Sequence, residues 1–383
     1  MTEPYDHETA PVGNTAADQA RNAALLGEYD YDQYPAGITG YTGQDLQRVA
    51  RLSWQPAVRV RVGGRGNYKA GLTQMADGRL VMVVYHGNQT TDPAERKRKP
   101  CFGYVYESTD GGLCWTHTGE VGFSGKEPTL TALSDGGLLL TTEGPSGGTQ
   151  LDESITSTSC DGGRSWESYV LPGYECPRSL VVEPEGSVLM VRALKSGWIH
   201  RGAGSPHFQL CRSRDGGRTW SYSVGEVDWD DTEFGEISVV QLDDGRLLAA
   251  VRRQVPGTKG EGFEDTVLTE SADGGRHWAA PWQISANAEV HFYLTQLRDG
   301  RLLGTYSSYH LPFGVFAVVS EDSGRTWDLG HPVQLALSAD VYVGWPVTVL
   351  LADGALLTSY AATAYSHQAP GNTTCEVVRW SLH

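Results

Sequence analysis

The stretch SRDGGRTW at residues 213–220 carries the pattern Ser-x-Asp-x-Gly-x-x-Trp, which decides the fold of this chain of 383 residues. The pattern occurs five times, at residues 108–115, 159–166, 213–220, 271–278 and 320–327. A motif that recurs at intervals of about 50 residues indicates a repeat architecture. A chain of this length would otherwise suggest two or three domains, whereas a repeat can close it into one structure.

A hairpin of two apolar runs around an acidic residue and a glycine is the second repeated motif, as in LTQLRDGRLLGTY at residues 294–306. The turn acid lies at positions 77, 135, 185, 244, 299 and 353, so successive copies are 58, 50, 59, 55 and 54 residues apart. The glycine supplies the backbone conformation that a tight hairpin turn needs. Each repeat therefore contains two apolar strands, a more polar strand, the Ser-x-Asp turn and a further strand.

These repeats predict an all-β fold, a six-bladed β-propeller of four-stranded antiparallel blades. The last repeat has no Ser-x-Asp turn of its own, and a strand-like segment at residues 54–62 precedes the first hairpin. We expect this N-terminal strand to complete the last blade and close the ring, because closure removes exposed strand edges. The predicted propeller covers residues 54–383, and residues 1–53 form an N-terminal extension with a short helix at residues 15–26.

Charge and composition exclude several classes of protein. The chain has 30 Lys and Arg against 46 Asp and Glu, a formal net charge of −16, which argues against a nucleic-acid partner. No apolar run is long enough for a membrane span, and the N-terminus lacks the features of a signal peptide, so we expect a cytoplasmic protein. Six scattered cysteines and the absence of nucleotide-binding and metalloprotease motifs predict no metal site and no cofactor.

The ends of the inner strands converge on one mouth of the predicted propeller. The first strand of each hairpin begins, and the second ends, on the rim opposite the acidic turn. Counting about eight residues back and forward from each turn acid reaches a mixed set of acids, bases and aromatic side chains: Lys69, His86, Glu127, Glu143, Arg178, Arg192, Glu236, Arg252, His291 and Trp345. Such a set predicts a functional site at this rim, opposite the Asp-Gly turns.

The Ser-x-Asp pattern resembles the Asp-box, or BNR repeat, of the sialidase (neuraminidase) superfamily of six-bladed propellers. The resemblance covers about residues 54–383 and implies that the Asp and Trp of each box are structural. It also implies a glycosidase site with three arginines for a sugar carboxylate, a Tyr nucleophile paired with a Glu, and an Asp acid/base. On this chain Glu236 matches the Glu, Arg252 the second arginine, and Asp92 the acid/base.

Three positions depart from the family pattern. Tyr68 is followed by Lys69 where the family has its first arginine, and Trp345 stands where the nucleophilic Tyr is expected. The strand before the fifth Ser-x-Asp turn, PFGVFAVVS, carries no basic residue. We therefore do not expect an orthodox sialidase with a Tyr nucleophile.

The favoured hypothesis is an exo-acting glycoside hydrolase that removes a terminal sugar from an anionic glycan. Hydrolysis of this kind needs two carboxylates, and the candidates are Glu236, Glu127, Glu143 and Asp92. Trp345 would be a stacking platform for a sugar ring. The other expected substrate-binding residues are Tyr68, Lys69, Arg178, Arg192, Arg252 and His291. An anionic substrate is expected because four of these side chains are basic.

Two alternatives remain open. In a uronate lyase of the rhamnosyl-glucuronate type, His86 would be the general base, and Arg252 with Arg178 or Arg192 would neutralise the uronate carboxylate. In a non-catalytic glycan-binding propeller, the basic run at residues 95–99 would contact the ligand. The sugar, the linkage and the oligomeric state are not determined by the sequence.

Overall fold

The computed structural model describes residues 10–13, 57–64, 66–86, 102–121, 126–143, 153–172, 177–194, 207–229, 233–254, 264–285, 288–309, 312–338, 343–363 and 373–382. These residues form 26 β-strands and no helix. The helix predicted at residues 15–26 lies outside them. No helix among them could cross a membrane.

A short acidic turn joins the first two strands of each hairpin repeat, as the sequence predicts. In chain order they are β1 (Ala10–Gly13), β2 (Ala57–Val62), β3 (Asn67–Gln74), β4 (Leu80–His86), β5 (Phe102–Ser108), β6 (Thr116–Val121), β7 (Lys126–Ala132), β8 (Leu138–Glu143), β9 (Glu153–Ser159), β10 (Glu167–Pro172), β11 (Val181–Val182), β12 (Val188–Leu194), β13 (His207–Ser213), β14 (Ser221–Val227), β15 (Glu233–Gln241), β16 (Leu247–Gln254), β17 (Glu264–Ser271), β18 (His277–Trp278), β19 (Trp282–Gln283), β20 (Glu289–Gln296), β21 (Leu302–Ser308), β22 (Gly314–Ser320), β23 (Val333–Leu337), β24 (Gly344–Leu350), β25 (Leu356–Thr363) and β26 (Thr373–Trp380).

Six sheets form the six blades of a propeller, which confirms the predicted fold. Strands β3–β6 form the first blade, β7–β10 the second and β11–β14 the third, to which β18 adds in parallel. Strands β15, β16, β17 and β19 form the fourth blade, and β20–β23 the fifth. The inner strands of neighbouring blades pack on one another, and the contact of β24 with β3 joins the last blade to the first.

The last blade is closed by the N-terminal strand, as predicted. Strand β2 pairs with β26 in antiparallel register, with Ala57 opposite Trp380 and Val62 opposite Cys375. Strand β1 then adds to the free edge of β2, with Ala10 opposite Arg61. Pairing two segments from opposite ends of the chain satisfies backbone groups that an open edge would expose.

The five Ser-x-Asp turns are built from hydrogen bonds internal to each turn. In the third blade, Asp215 Oδ1 accepts the backbone N–H groups of Arg218 (3.1 Å) and Thr219 (2.9 Å), and Ser213 Oγ donates to Asp215 (2.8 Å). The Trp220 indole donates to the carbonyl of Gly217 (3.0 Å). These carboxylates and indoles are occupied within their own turns, so they stabilise the fold and are not free for chemistry.

Blade-to-blade packing explains one glycine in these turns. A Cβ atom on Gly217, which has φ +94°, would lie 2.3 Å from Leu139 Cδ1 of the preceding blade. Only glycine allows this close approach and this backbone conformation together. The turn of the third blade therefore docks on the second.

Candidate active site

Five of the six inner strands carry the same backbone irregularity near the rim. The pairing register shifts at Lys69, Glu127, Glu236, His291 and Trp345. Each of these residues has a positive φ, of 42°, 57°, 47°, 60° and 51° in that order, which is uncommon for a residue other than glycine. A bulge redirects a side chain, and strained backbone of this kind concentrates at functional sites.

These five side chains contact one another across four blade boundaries and form one cluster, which we call the rim cluster. The Lys69 ammonium pairs with the Glu127 carboxylate and lies 4.0 Å from the centroid of the Trp345 ring. The Trp345 ring stacks on His291 with centroids 4.7 Å apart, and its Nε1–H donates to Glu236 Oε1 (3.3 Å). His291 Nε2 lies 2.8 Å from Glu236 Oε2.

The third blade lacks the bulge because Pro177 occupies the corresponding position, and the proline ring does not allow a positive φ. Its inner strand is only two residues long. The next residue, Arg178, is buried; its backbone N–H donates to the carbonyl of Ile237 (2.7 Å) and its Nη2 to the carbonyl of Pro346 (3.0 Å). Arg178 thus connects the third blade to the sixth, because Pro346 is the residue that follows Trp345.

Arg252 on β16 contacts both the rim cluster and Glu264, a carboxylate on β17, which is the third strand of the fourth blade. Its Nη1 lies 3.3 Å from Glu236 Oε2. Its Nε donates to Glu264 Oε2 (2.9 Å) and its Nη2 to Glu264 Oε1 (2.7 Å), a bidentate pair. Burial opposes the charge of Arg252, but the two carboxylates outweigh it and raise the pKa of the guanidinium further. Arg252 is therefore a permanent cation between two acids.

The electrostatics of the rim cluster keep Glu236 ionised and His291 neutral at neutral pH. Burial raises the pKa of the Glu236 carboxyl, but the interaction with His291 and the charge of Arg252 stabilise the carboxylate, and its pKa lies well below the usual value. Burial lowers the pKa of His291 to about 4, against the opposing influence of Glu236. The Glu236 side chain is 21 % exposed, although its Oε2 atom is buried.

The second ring nitrogen of His291 has two hydroxyl neighbours. Nδ1 lies 3.2 Å from Ser307 Oγ and 3.3 Å from the Tyr309 hydroxyl. The Tyr309 hydroxyl, the His291 ring and the Glu236 carboxylate therefore lie in a row of contacts, with His291 Nε2 at 2.8 Å from Glu236 Oε2. Tyr309, Ser307 and Glu264 are not among the site residues predicted from the sequence. The count of eight from Asp299 does reach Ser307, and Tyr309 lies two residues further.

Two of the predicted substrate-binding aromatic residues are largely buried. Trp345 is 8 % exposed, and its ring contacts Lys69, His291 and Tyr68, whose ring centroid is 5.0 Å away in an edge-to-face arrangement. Trp345 does not present the open face that stacking on a sugar requires. The structure therefore contradicts the prediction that Trp345 is a stacking platform for a sugar ring. The indole instead donates its Nε1–H to Glu236 Oε1.

Two further predicted residues contact their own blades. His86 Nδ1 lies 3.1 Å from Asn67 Oδ1, and its ring packs on Tyr104 with centroids 5.2 Å apart. Burial lowers the pKa of His86 to about 4. Arg192 is buried and its Nε donates to Gln209 Oε1 (2.6 Å) of the adjacent strand.

Other predictions fall outside the described part of the chain. Asp92, the side chain of Glu143 and the basic run at residues 95–99 are among them. Within the described residues, no group of three or more His, Cys, Asp or Glu side chains is placed to hold a metal ion. The expected lack of a cofactor stays a prediction.

No family model and no curated protein matches the chain by sequence. Solved structures do share its fold. A protein of unknown function from Dyadobacter fermentans has a TM-score of 0.65 at 20 % identity, over 82 % of this chain and 95 % of that one. An α-L-arabinanase from Penicillium chrysogenum, complexed with arabinobiose, has 0.57 at 13 %, over 82 % and 93 %. A sialidase from Streptococcus pneumoniae has 0.60 at 12 %, over 83 % and 69 %.

These similarities show the fold: the chain is a six-bladed β-propeller like those of sialidases and arabinanases. At identities of 12–20 % they say nothing by themselves about activity. The function has to be argued from the rim cluster.

Proposed function

We propose that the protein is an exo-acting glycoside hydrolase that removes a terminal sugar from a glycan or glycoconjugate. The observation that carries the proposal is Glu236, a partly exposed side chain whose carboxylate is held ionised on a strained bulge between His291 and Arg252. Catalytic carboxylates of glycosidases are held in this way by neighbouring charges and hydrogen bonds. The similar fold of an arabinanase complexed with arabinobiose and of a sialidase supports a carbohydrate substrate.

Glu236 is the nucleophile or general base of this mechanism, because its pKa lies well below the usual value and it is ionised at neutral pH. Arg252 and the Trp345 indole hold the carboxylate in place and limit its rotation. A fixed orientation lowers the entropy cost of attack on the anomeric carbon or on a water molecule. This arrangement does not depend on a Tyr at the position of Trp345.

The second carboxylate has to donate a proton to the leaving group. Among the carboxylates predicted from the sequence, Glu127 is linked to Glu236 through the contacts of Lys69 and Trp345. Its contact with Lys69 places it to bind a sugar hydroxyl. Asp92 and Glu143 stay the predicted proton donors.

The test is a turnover assay of the purified protein on a panel of 4-methylumbelliferyl glycosides that includes α-L-arabinofuranoside, sialoside and glucuronide. We expect hydrolysis of at least one member, and a loss of about 10²- to 10⁴-fold in kcat for Glu236→Gln. Glu226→Gln, the same change on the exposed outer strand β14, serves as the control and should leave kcat unchanged. No turnover of any sugar, with equal sugar affinity for wild type, Glu236→Gln and Arg252→Ala, would contradict the proposal.

Elimination at a uronate is the second candidate, favoured by one observation. A histidine that acts as a general base has to be deprotonated, and the pKa of His86 is lowered to about 4 by burial, so its imidazole is deprotonated at neutral pH. An unsaturated uronate product, detected by its ultraviolet absorbance, together with loss of activity in His86→Gln but not in Glu236→Gln, would replace hydrolysis by elimination. Sugar binding without turnover would indicate the glycan-binding alternative.

A further inference from the structure

Glu264 occupies the face of Arg252 that a substrate carboxylate would need. It begins β17, its side chain is 13 % exposed, and both of its oxygens accept hydrogen bonds from Arg252. A bidentate guanidinium–carboxylate pair is among the strongest polar contacts in proteins. The third guanidinium nitrogen, Nη1, faces Glu236. All three nitrogens of Arg252 are therefore directed at carboxylates of the protein itself.

The other cations near Glu236 also bind groups of the protein itself. Lys69 pairs with Glu127. Arg178, close enough to lower the pKa of His291, donates to a main-chain carbonyl of the sixth blade. The charged residues that contact or face the rim cluster include the cations Lys69, Arg178 and Arg252 and the carboxylates Glu127, Glu236 and Glu264.

These ion pairs affect the binding of a charged substrate and of a neutral substrate differently. A carboxylate brought to Arg252 would lie beside Glu264 and Glu236, and like charges at short range in a partly buried site repel strongly. A sugar hydroxyl adds no charge and can donate a hydrogen bond to the same carboxylate oxygens. A protein that places its own carboxylate on the guanidinium thus discriminates against acidic ligands by repulsion.

We propose that the rim cluster binds a neutral sugar and that Glu264 is the residue that excludes acidic ones. The location of the sugar rests on the proposed function, whereas the charge preference rests on the ion pairs of Arg252. The proposal replaces the anionic substrate expected from the sequence. That expectation counted basic side chains on the first two strands of each blade and did not reach the acid on the third.

The chain supplies a matched control for Glu264. The next residues along the same two strands, Arg253 and Asp265, also form an ion pair, here between directly opposite residues, with Nε donating to Oδ1 at 2.8 Å. The exposed fractions of the two side chains are 27 % and 13 %, against 28 % and 13 % for Arg252 and Glu264. Because successive side chains of a strand point to opposite faces, this pair lies on the face away from Arg252.

The experiment measures the binding of glucuronate, N-acetylneuraminate, arabinose and galactose to wild type, Glu264→Gln and Asp265→Asn by titration calorimetry. We expect wild type to bind at least one neutral sugar tenfold or more tightly than either acid. In Glu264→Gln the ratio of acidic to neutral affinity should rise at least tenfold, and in Asp265→Asn it should not change. Because binding is the readout, absence of turnover would count against the hydrolase proposal and not against this one.

Two outcomes would overturn the proposal: tighter binding of an acid than of every neutral sugar by wild type, or equal affinity ratios in Glu264→Gln and Asp265→Asn. Wild type alone offers a second test should Glu264→Gln not fold. Its affinity for the neutral sugar should be independent of ionic strength between about 0.05 and 0.5 M, because binding of an uncharged ligand is not screened. A strong decrease with salt would also contradict the proposal.

Discussion

The five Ser-x-Asp turns and the five bulges of the rim cluster both recur from blade to blade, but the turns repeat their side chains and the bulges repeat their backbone conformation. In the turns the residues repeat, and they make the same bonds each time, as Asp215 and Trp220 do in the third blade. At the bulges the backbone repeats, with φ between 42° and 60°, while the side chains differ from blade to blade. Repeated side chains maintain the fold, whereas varied side chains on a repeated backbone form the rim cluster, the candidate site.

The largest expected effect separates the two regions by exchanging an acid for an amide in each. Glu236→Gln should lower kcat by about 10²- to 10⁴-fold and leave the midpoint of thermal unfolding within a few degrees of wild type. Asp215→Asn should cost about 1–3 kcal/mol of folding free energy, because the carboxylate that binds two backbone amides is lost, with kcat per folded molecule unchanged. Loss of activity in both variants at full stability would remove the distinction.

The pH dependence of stability should differ between a bulge histidine and a turn histidine. Burial lowers the pKa of His291 to about 4, so the unfolded state binds more protons below its own pKa near 6.5, and stability falls as pH drops from about 6.5 to 4. The expected loss is about 3 kcal/mol. His277 in the fourth Ser-x-Asp turn behaves oppositely: the bond to Asp273 raises its pKa, so its contribution is present at low pH and is lost as pH rises through the folded pKa.

Urea unfolding between pH 4 and 8 checks this prediction with His291→Gln and His277→Gln. The fall in unfolding free energy toward pH 4 should be shallower than wild type in His291→Gln and steeper in His277→Gln. Identical slopes in the two variants would show that the two histidines do not differ. His86, with its pKa also lowered to about 4 by burial, adds a contribution of the same sign as His291 and is unchanged in both.

A smaller effect on kcat is expected when one tryptophan of the rim cluster is substituted and compared with a tryptophan of a Ser-x-Asp turn. Trp345→Phe keeps an aromatic ring beside His291 but removes the Nε1–H bond to Glu236, and we expect a decrease in kcat of about tenfold, the value of one hydrogen bond to a charged group. Trp220→Phe removes the indole bond to Gly217 and should lower stability with no change in kcat. Steady-state kinetics and thermal unfolding of both variants provide the test; a larger kinetic loss in Trp220→Phe would reverse the assignment of roles.

The smallest expected effect concerns the hydroxyl behind His291. Tyr309→Phe removes one of two hydroxyl neighbours of Nδ1, while Ser307 Oγ at 3.2 Å remains. We expect kcat to fall by about three- to tenfold, with the acidic limb of the pH profile displaced, since the row of contacts from Tyr309 to Glu236 is shortened. Tyr222→Phe on the outer strand is the control. An unchanged pH profile would show that Tyr309 only packs against the imidazole.

Much of the fold could be predicted because it is encoded locally and repeatedly. The Ser-x-Asp turns and acidic hairpins specify their own conformations, and six copies imply a closed ring. The same regularity places Glu236, His291 and Trp345 at equivalent positions, since each lies eight residues before its turn acid. The structure brings these three together; whether they act on a sugar stays a proposal.

What the sequence did not reveal depends on pairing between strands. Glu264 lies beside Arg252 because β17 pairs with β16 across a connection outside the described residues. Tyr309 reaches His291 because β21 ends next to the bulge of β20. Trp345 looks like a sugar platform until Lys69, His291 and Tyr68 are seen around its ring. None of these contacts follows from the spacing of residues within one repeat.

The sequence by itself determined the number of blades, the strand that closes the ring and the rim at which the varied residues gather, because each follows from a period and from local turn chemistry. Only the tertiary structure decided the charge of the candidate site. Whether Arg252 is available to an acidic sugar depends on which carboxylate lies across from it, and Coulomb interactions are set by distances of a few ångströms in space, not by separation along the chain.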